Sequence, residues 1–422
     1  MKFETPKIYQ FYPSIFMEDS SIYILIAIPF FFAMMGIELL IARIHKKKVY
    51  ELKDTVTNLS IGIGNQAIGL FFKVLMIGAY VGVYKNFAFM HIENPLIGFL
   101  VATVLFDFIF YWAHRWGHEV NFFWGAHIVH HQSERYNLSV ALRQPWFHNL
   151  FSFWMFLPIP LFGIDPIVFI GANAFNTLYQ FWIHTELIGK LGPLEWIFNT
   201  PSAHRVHHST NPQYLDKNYG GLFIIWDRIF GTYQEEIETP VYGITTPLKS
   251  WNPIWANVHF YVEIWEAWKQ KSLGMKLKIL FWEGPSQLGK WLTIKASTQL
   301  EKAQQLRKNT QVYIVLQFSL LMLGTVAFMA FFDELSLGYR LGFLSLIIWT
   351  MWSISALLEK KKWVNWTEIP RLLIICSYLN MMYYLQFINW FNVFLIASAS
   401  ATVLILIWWI WHWKTESQTK II

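Results

Sequence analysis

The sequence is poor in cysteine and in charged residues. Its single cysteine, Cys376, lies within an apolar run, which excludes an internal disulfide framework, a thiolate metal site and a dithiol redox motif. Charged residues make up 14% of the chain, well below the roughly 25% of soluble proteins. Hydrophobic residues reach 55% and aromatic residues 19% of the 422 residues. This composition predicts an integral membrane protein with several spans rather than a soluble multidomain protein.

Apolar runs long enough to cross a bilayer, for which about 20 residues are needed, occur in two groups. The first group lies near residues 22–43, 58–84 and 95–113, and the second near 311–332, 338–357, 369–388 and 390–411. Two shorter runs between them, near 147–163 and 166–185, are expected to enter the membrane and return. The sequence therefore predicts an all-α, polytopic integral membrane protein with nine membrane segments.

Basic residues in the short loops predict the orientation of the spans. The loop after the first span contains Lys46, Lys47 and Lys48, and Lys360–Lys362 separate two later spans, whereas Asp333 and Glu334 occupy the intervening loop. This pattern places the N-terminus outside and makes the polar section near 186–310 a cytoplasmic helical cap. The net charge of +6 is then explained by these loops, and no nucleic acid partner is expected.

Ten of the 14 histidines lie between residues 114 and 208, and all of these except His148 follow a pattern. These nine form one H-x3-H pair, two H-x2-H-H triplets and one single residue: His114 and His118; His127, His130 and His131; His184; His204, His207 and His208. Residues three and four apart share a helix face, so each group directs its imidazoles at one point. Neutral imidazole is the commonest nitrogen ligand of metals, and nine imidazoles are enough to hold two ions.

Two carboxylates near the first pair are further candidates for the site. Asp107 lies seven residues before His114 on the same helical face, and we expect it to orient that imidazole by bonding its second ring nitrogen. Glu119 directly follows His118. His148 is interpreted as a structural residue, and Thr200 with Pro201 predicts a helix start before the last triplet.

Ligand type alone leaves the metal open, because sites with only nitrogen ligands suit iron, zinc, copper or nickel. Two metals in a membrane site, with no hydrolytic base evident, favour oxygen chemistry on a lipid. A metal transporter or store, and an electron carrier with paired haem ligands, are alternatives from other functional classes.

The residues around the histidines carry a more specific pattern. The chain reads Asp107-Phe-Ile-Phe-Tyr-Trp-Ala-His114-Arg-Trp-Gly-His118-Glu119, then Asn137-Leu-Ser-Val-Ala-Leu-Arg-Gln144, Leu191-Gly-Pro-Leu-Glu-Trp196, Asn199-Thr-Pro-Ser, His204-Arg-Val-His-His208, Asp216-Lys-Asn-Tyr-Gly220 and Trp226-Asp-Arg-Ile-Phe-Gly-Thr232. This stretch of sequence, from about 95 to 260, resembles the fatty acid hydroxylase/sterol desaturase superfamily of membrane enzymes. Within the superfamily it is most similar to the alkylglycerol (glyceryl-ether) monooxygenase branch.

The resemblance implies two iron ions held by the three histidine groups, O2 as co-substrate and tetrahydrobiopterin as reductant. It implies a lipid substrate from the bilayer, an alkylglycerol whose ether bond is cleaved, and a role for Glu119. A sterol or fatty acyl hydroxylase or desaturase is the alternative within the superfamily. One departure concerns Ala203, where the family often has a histidine.

The apolar runs, together with the extent of the resemblance, predict a division of the chain into four parts. Residues 1–94 are expected to form N-terminal transmembrane helices, 95–260 the catalytic domain, 261–310 an amphipathic interfacial segment, and 311–422 the C-terminal transmembrane helices. The active site is expected on the cytoplasmic side of a bacterial inner membrane, or of the endoplasmic reticulum in a eukaryote. The electron donor and the oligomeric state stay open.

Overall fold

The structure, a computed structural model, describes residues 12–269, 271–288, 306–384, 400, 403–405 and 407–408. Within these ranges the regular secondary structure is helical. Backbone pairing of the β type is limited there to two isolated bridges, between Phe198 and Phe223 and between Ser209 and Tyr242. The predicted all-α class is confirmed.

Contacts divide the chain into two units, residues 27–303 and residues 1–26 with 304–422. The α-helices that lie or end in the first unit are α1 (Tyr12–Ile44), α2 (Leu52–Phe87), α3 (Pro95–Glu119), α4 (Asn121–His131), α5 (Leu138–Ala141), α6 (His148–Ser152), α7 (Pro166–Trp182), α8 (Pro201–His207), α9 (Ile225–Phe230), α10 (Pro253–Trp268), α11 (Leu273–Phe281) and α12 (Pro285–Leu288). The second unit contains α13 (Lys308–Ala330), α14 (Leu337–Leu358) and α15 (Val364–Tyr384).

Five helices of the described part are long and apolar enough to cross a membrane. They are α1 from Ala27 to Ile44, α2, α3, α13 and α14. These five correspond to predicted spans, and the prediction of an integral membrane protein is supported. The described part of α15 is not among them, and its first half carries Glu368 and Arg371. The predicted span near 390–411 falls almost entirely outside the described residues.

The two shorter predicted segments form helices that are shorter than the candidate spans. Their entry into the membrane and their return stay predictions. Residues 147–163 form α6 and two 3-10 helices, Phe153–Phe156 and Ile159–Phe162, rather than one continuous helix. Pro158 and Pro160 explain the break, because proline removes a backbone donor and disrupts the helical hydrogen bonds around it. The following helix, α7, has 17 residues and a length of about 26 Å, which is short of the roughly 30 Å hydrocarbon layer.

A hydrophobic core in the first unit joins α2, α3 and α7 below the histidine-rich region. Its buried members are Tyr80, Ala102, Phe106, Phe156, Ile159, Ile164, Phe169 and Ala172. The turn into α7 is fixed by Gly163, whose φ of +72° suits glycine and whose added Cβ would lie 2.0 Å from the Met90 carbonyl oxygen. The core thus holds α3, which carries the first histidine pair, against its neighbours.

Candidate metal centre

The first histidine pair lies at the C-terminal end of α3. This helix begins with a cap, since the Asn94 side chain accepts hydrogen bonds from two backbone N–H groups of the first turn. His114 and His118 are four residues apart and share one face of the helix. Both side chains are buried. The pair therefore sits where an apolar span ends, as the sequence predicted.

The second group lies on α4, which follows α3 after a single extended residue, Val120. This sharp turn folds α4 back toward the last turns of α3. Gly117 permits the approach, because a Cβ at that position would lie 3.3 Å from Cγ of His127. His127, His130 and His131 are all buried and, at this spacing, meet the first pair.

The third group is presented by α8, whose first residue is Pro201. The Thr200 side chain makes no cap hydrogen bond to the helix, which differs from the prediction. Its hydroxyl instead donates to Glu195, and the Ser202 hydroxyl donates to the same carboxylate oxygen at 2.6 Å. A carboxylate near a helix N-terminus is favourable because of the helix dipole, so Glu195 supports the start of α8.

All nine predicted histidines come together in two buried groups. One contains His114, His118, His127, His131 and His207, and the other contains His130, His184, His204 and His208; within each, one nitrogen per residue lies within 4.8 Å of the others. Each group draws on more than one helix, and α4 and α8 contribute to both. His184, which follows α7, belongs to the four-histidine group.

Neighbouring imidazoles approach one another through their Nε2 atoms. The Nε2–Nε2 distances are 3.0 Å for His114 and His127, 3.1 Å for His127 and His131, 3.2 Å for His130 and His184, 3.1 Å for His184 and His204, and 3.2 Å for His204 and His208. Two metal–nitrogen bonds of about 2.1 Å that meet near a right angle separate their nitrogens by about 3 Å. The observed distances therefore fit neighbouring imidazoles that bind the same metal ion.

Backbone carbonyls fix the tautomer of four histidines. The Nδ1 atoms of His114, His130, His184 and His207 lie 2.7, 3.1, 2.6 and 3.0 Å from the carbonyl oxygens of Tyr219, Arg143, Gln180 and Lys217, respectively. Because a carbonyl can only accept, each Nδ1 carries the hydrogen and each Nε2 keeps a lone pair.

Without a metal ion, several of these Nε2 lone pairs have no donor or cation to bind among the described residues. The Nε2 lone pairs of His130 and His184 face each other, so these two neutral rings cannot hydrogen-bond to each other. In the described part of the chain, Nε2 of His118 and Nε2 of His207 are buried without any hydrogen-bond partner. A cation in each group satisfies all of these nitrogens, and the donor set therefore fits metal binding.

Burial keeps these rings neutral. Removal from water lowers the pKa of His207 to about 4. It also lowers the pKa of His131, His204 and His208 well below the ordinary value of about 6.5, and the neighbouring imidazoles add to the effect. Neutral rings are the form that binds metal.

The Asp107 carboxylate makes different contacts from the one predicted. It accepts hydrogen bonds from the backbone N–H groups of Leu222 and Phe223 at 2.6 and 3.0 Å, and from the side chains of Trp226 and Asn176 at 2.9 and 2.8 Å. The expected contact with His114 is therefore wrong, because the donors of the 222–226 segment surround the carboxylate. Asp107 acts on the loop instead.

The loop that Asp107 anchors also receives Asp227. The Asp227 carboxylate accepts hydrogen bonds from the N–H groups of Tyr219 and Gly220, both at 2.7 Å. A Cβ on Gly221 would lie 2.8 Å from Oδ1 of Asp107, so the loop is pressed against α3. Two buried carboxylates thus hold the Tyr219 carbonyl that orients His114.

Glu119 lies at the edge of the centre. Its carboxylate accepts a 2.9 Å hydrogen bond from Arg115, and its side chain is 41% exposed. Asp216, which is also exposed, approaches Nδ1 of His118 at 3.9 Å. The role in the reaction that the resemblance implies for Glu119 stays a prediction.

His148 and Ala203 mark the other borders of the site. The His148 ring lies 5.3 Å from the His127 ring but belongs to neither histidine group. Ala203 is buried on α8, and its carbonyl accepts a hydrogen bond from the Asn218 side chain. His184 therefore joins the centre, whereas His148 only borders it.

Two arginines support the centre, although the sequence analysis assigned them no role. Buried Arg143 donates to the Val129 carbonyl at 2.6 Å and to the side chains of Asn58 and Gln132, while its own carbonyl orients His130. Arg205 on α8 donates to the Thr185 carbonyl. Spacing along the chain gave no signal for these contacts, since they join segments far apart in sequence.

Comparison with known proteins adds a family to this geometry. A family model described as fatty acid hydroxylase matches residues 99–232, the stretch that carries all nine histidines. No solved structure gives a significant match to the chain.

Alkylglycerol monooxygenases are among the similar curated proteins. The one from Homo sapiens is 39% identical over 363 residues, covering 82% of this chain and 80% of the relative. The one from Xenopus tropicalis is 41% identical over 271 residues, covering 64% of this chain and 60% of the relative. An ornithine lipid hydroxylase from Rhizobium tropici is 32% identical over 135 residues, covering 32% of this chain and 41% of the relative. The chain belongs to the alkylglycerol monooxygenase family.

Proposed function

We propose that this protein is a membrane-bound monooxygenase that hydroxylates a lipid C–H bond and thereby cleaves the ether bond of an alkylglycerol. The observation that carries the proposal is the pair of all-histidine groups with converging Nε2 atoms. Two iron ions, when bound there, supply the activation of O2. The similarity to alkylglycerol monooxygenases supports the choice of substrate.

The chain's own residues have three tasks in this proposal. The nine histidines hold the ions, and the carbonyls of Tyr219, Arg143, Gln180 and Lys217 keep four of the rings in one tautomer and orientation. Burial of all nine side chains keeps bulk water from the centre. Exclusion of water limits the loss of reactive species to side reactions.

The proposed reaction balances with one O2 and one two-electron reductant. One oxygen atom enters the C–H bond of the alkyl carbon next to the ether oxygen, and the other leaves as water with two electrons and two protons. The resulting hemiacetal breaks into glycerol and a fatty aldehyde. The family resemblance supports tetrahydrobiopterin as the donor of both electrons.

The spacing of the imidazoles argues against a haem protein. Two axial haem ligands lie on opposite sides of the iron, about 4 Å apart, with the porphyrin between them. The nitrogens of His114 and His127 are 3.0 Å apart, and further imidazoles surround both. The arrangement favours metal ions that are each bound by several histidines.

We further propose that the centre faces the cytoplasm. His114 and His118 lie at the end of α3, and the loop that precedes α2 at the corresponding end contains Lys46, Lys47 and Lys48. Lys47 donates to the Glu186 carbonyl, two residues after His184. Lysine-rich short loops are typical of the cytoplasmic side.

The decisive experiment purifies the full chain in detergent or nanodiscs, measures bound metals, and incubates it with O2, tetrahydrobiopterin and a chain-labelled alkylglycerol. We expect about two iron ions per chain and a labelled fatty aldehyde detected by mass spectrometry. A matched diacylglycerol, which has ester bonds instead, is the control and should give no aldehyde.

Two further sets of conditions test the alternative substrates and the alternative electron donor. A second lipid panel with a sterol, a free fatty acid and an ornithine lipid tests the activities of other members of the superfamily. A second electron source, NADPH with ferredoxin and a ferredoxin reductase, tests the donor. Oxidation of one of those lipids with the alkylglycerol unchanged would overturn the proposed substrate. A centre that binds zinc and consumes no O2 would overturn the oxygenase.

A further inference from the structure

Tyr219 lies in the loop that both buried carboxylates hold. Its backbone N–H donates to Asp227 at 2.7 Å, and its carbonyl accepts from Nδ1 of His114 at 2.7 Å. Because both backbone groups are engaged, the backbone of Tyr219 is fixed relative to α3. The loop therefore places an aromatic ring, as well as a carbonyl, beside the first histidine pair.

The Tyr219 ring packs against the five-histidine group. Its centroid lies 5.3 Å from the His118 ring, 5.9 Å from the His114 ring and 6.1 Å from the His207 ring. The side chain is fully buried. Tyr219 is thus part of the wall of this group although it belongs to none of the histidine motifs.

The phenol of Tyr219 has no hydrogen-bond partner among the described residues. Its Oη is buried, and a buried polar group without a partner is unfavourable. Native structures rarely leave such groups unpaired, and a ligand or ordered water often supplies the missing partner. A phenol O–H is a hydrogen-bond donor at physiological pH.

Two neighbouring atoms are unpartnered in the same way. Nε2 of His118 and Nε2 of His207 are buried without partners in the described part, and both rings contact Tyr219. Lone pairs on nitrogen are satisfied by a cation, but a phenol O–H needs an acceptor. The three atoms together therefore require both an ion and a small electron-rich ligand.

The four-histidine group offers an instructive contrast. Tyr136 stacks on His184 with 5.7 Å between the ring centroids and is as deeply buried as Tyr219. Its hydroxyl, however, donates to the Ile183 carbonyl at 3.1 Å. Each group thus has one buried tyrosine against it, and only the tyrosine of the five-histidine group keeps its donor free of a described partner.

We propose that the Tyr219 hydroxyl donates a hydrogen bond to a small oxygen-bearing or anionic ligand held at the five-histidine group. The acceptor chemistry is shared by water, hydroxide and dioxygen, and small anions such as azide imitate it. The inference rests on the metal centre of the proposed function but is independent of which lipid is oxidised. The inference places the small ligand at the five-histidine group.

The test measures azide binding to the ferric form of the purified full-length protein by its absorbance change, without lipid or reductant. Tyr219→Phe keeps the ring and removes only the donor. We expect it to retain both metals and to bind azide about 10-fold more weakly, the loss expected for a hydrogen bond to a charged group. Tyr136→Phe is the matched control and should bind azide as the wild type does.

Three results would overturn the inference. They are unchanged azide affinity in Tyr219→Phe, an equal loss of affinity in Tyr136→Phe, and loss of metal from Tyr219→Phe, which would give the phenol a purely structural role. If Tyr219→Phe does not fold, 3-fluorotyrosine at this position retains the hydroxyl as a stronger donor. Azide should then bind more tightly than to the wild type, and unchanged binding counts against the inference.

An additional measurement separates the sources of the ligand. Ferrous protein exposed to nitric oxide, a neutral stand-in for dioxygen, should show a nitrosyl signal that changes in Tyr219→Phe if the acceptor comes from dioxygen. An azide effect without a nitrosyl effect assigns the position to water or hydroxide. If alkylglycerol is not oxidised while the azide difference persists, the proposed substrate fails and this inference stands.

Discussion

Single hydrogen bonds to backbone carbonyls decide which nitrogen each of four histidines leaves free. The carbonyl partner of His114 is 105 residues away in sequence, whereas the partner of His184 is four residues away. The residue types and their helical spacing could be predicted from the sequence. The partners of Nδ1 could not, because nothing in local spacing reports which loop returns to a given helix.

His204 tests the division of the histidines into two groups. Its Nε2 lies between those of His184 and His208, so His204→Ala reduces the four-histidine group to three. We expect the metal content to fall from about two ions to one per chain and the activity to be lost. Metal analysis by mass spectrometry measures this.

A matched histidine outside both groups serves as the control. His259 is buried and contacts the Ala256 carbonyl at 3.1 Å, and His259→Ala should keep both ions. Two ions per chain in His204→Ala would contradict the assignment of this residue.

Asp107 tests the role of the loop that orients His114. In Asp107→Asn, one carboxylate oxygen becomes an NH2 group that faces donors such as the N–H of Leu222 and the indole of Trp226. A lost acceptor with buried donors costs on the order of 1–3 kcal/mol. We expect a lower melting temperature and about 10-fold weaker metal binding, measured by chelator competition.

Asp165→Asn is the control for Asp107→Asn. Asp165 caps α7 by accepting from the Ile167 N–H, a role that asparagine also fills. It should change neither metal affinity nor melting temperature by much. Tight metal binding in Asp107→Asn would show that the loop does not set the affinity.

The helices divide into those whose ends carry the centre and those that do not. The short helix α8 begins at Pro201 and ends beside His208, close to its prediction, because proline and the histidine spacing are local signals. The entry of residues 147–163 into the membrane and their return stay predictions. Two prolines there permit only short helices, and hydropathy alone does not register that constraint.

The helices of the second unit contain a buried ion pair. Arg371 and Glu368 on α15 are fully buried, and their side chains contact each other. Arg371 also donates to Gln317 on α13 and to Thr350 on α14, at 2.8 and 3.0 Å. One arginine thus joins three helices, and the pair has none of the solvent screening of a surface ion pair.

Breaking this pair should destabilise the second unit without touching the metals. Arg371→Met leaves the Glu368 carboxylate buried without its partner, which costs about 3–5 kcal/mol. We expect a large drop in the melting temperature in detergent, while metal content per folded chain stays constant. Lys361→Gln is the control, because Lys361 is exposed and its nitrogen lies 3.6 Å from Glu359, and an ion pair at the surface is worth about 1 kcal/mol or less. Equal effects of the two substitutions would contradict this account.

The whole molecule combines membrane spans with a centre at one of their ends. Membership of the alkylglycerol monooxygenase family and the all-α fold were predicted from the sequence, because the histidine motifs and their flanking residues are specific. Five of the nine predicted segments correspond to candidate spans in the described part, and the segment near 390–411 lies almost entirely outside it.

The orientation in the membrane can be read from cysteine accessibility, because the chain has one natural cysteine. In a Cys376→Ala background, Lys48→Cys and Asn86→Cys place single thiols near opposite ends of α2. An impermeant maleimide added to intact cells should label Asn86→Cys only, and should label Lys48→Cys after the membrane is opened. The reverse pattern would place the centre outside the cytoplasm.

The use of imidazole alone has an electrostatic consequence. Nine neutral ligands contribute no negative charge, so two divalent ions would bring about four positive charges into a buried region of low polarity. Among the described residues, the carboxylate of the exposed Asp216 approaches a ring nitrogen of the centre, Nδ1 of His118, at 3.9 Å. With so little compensating charge, bound ions would be stabilised in their lower oxidation state, and the centre would attract electrons and small anions.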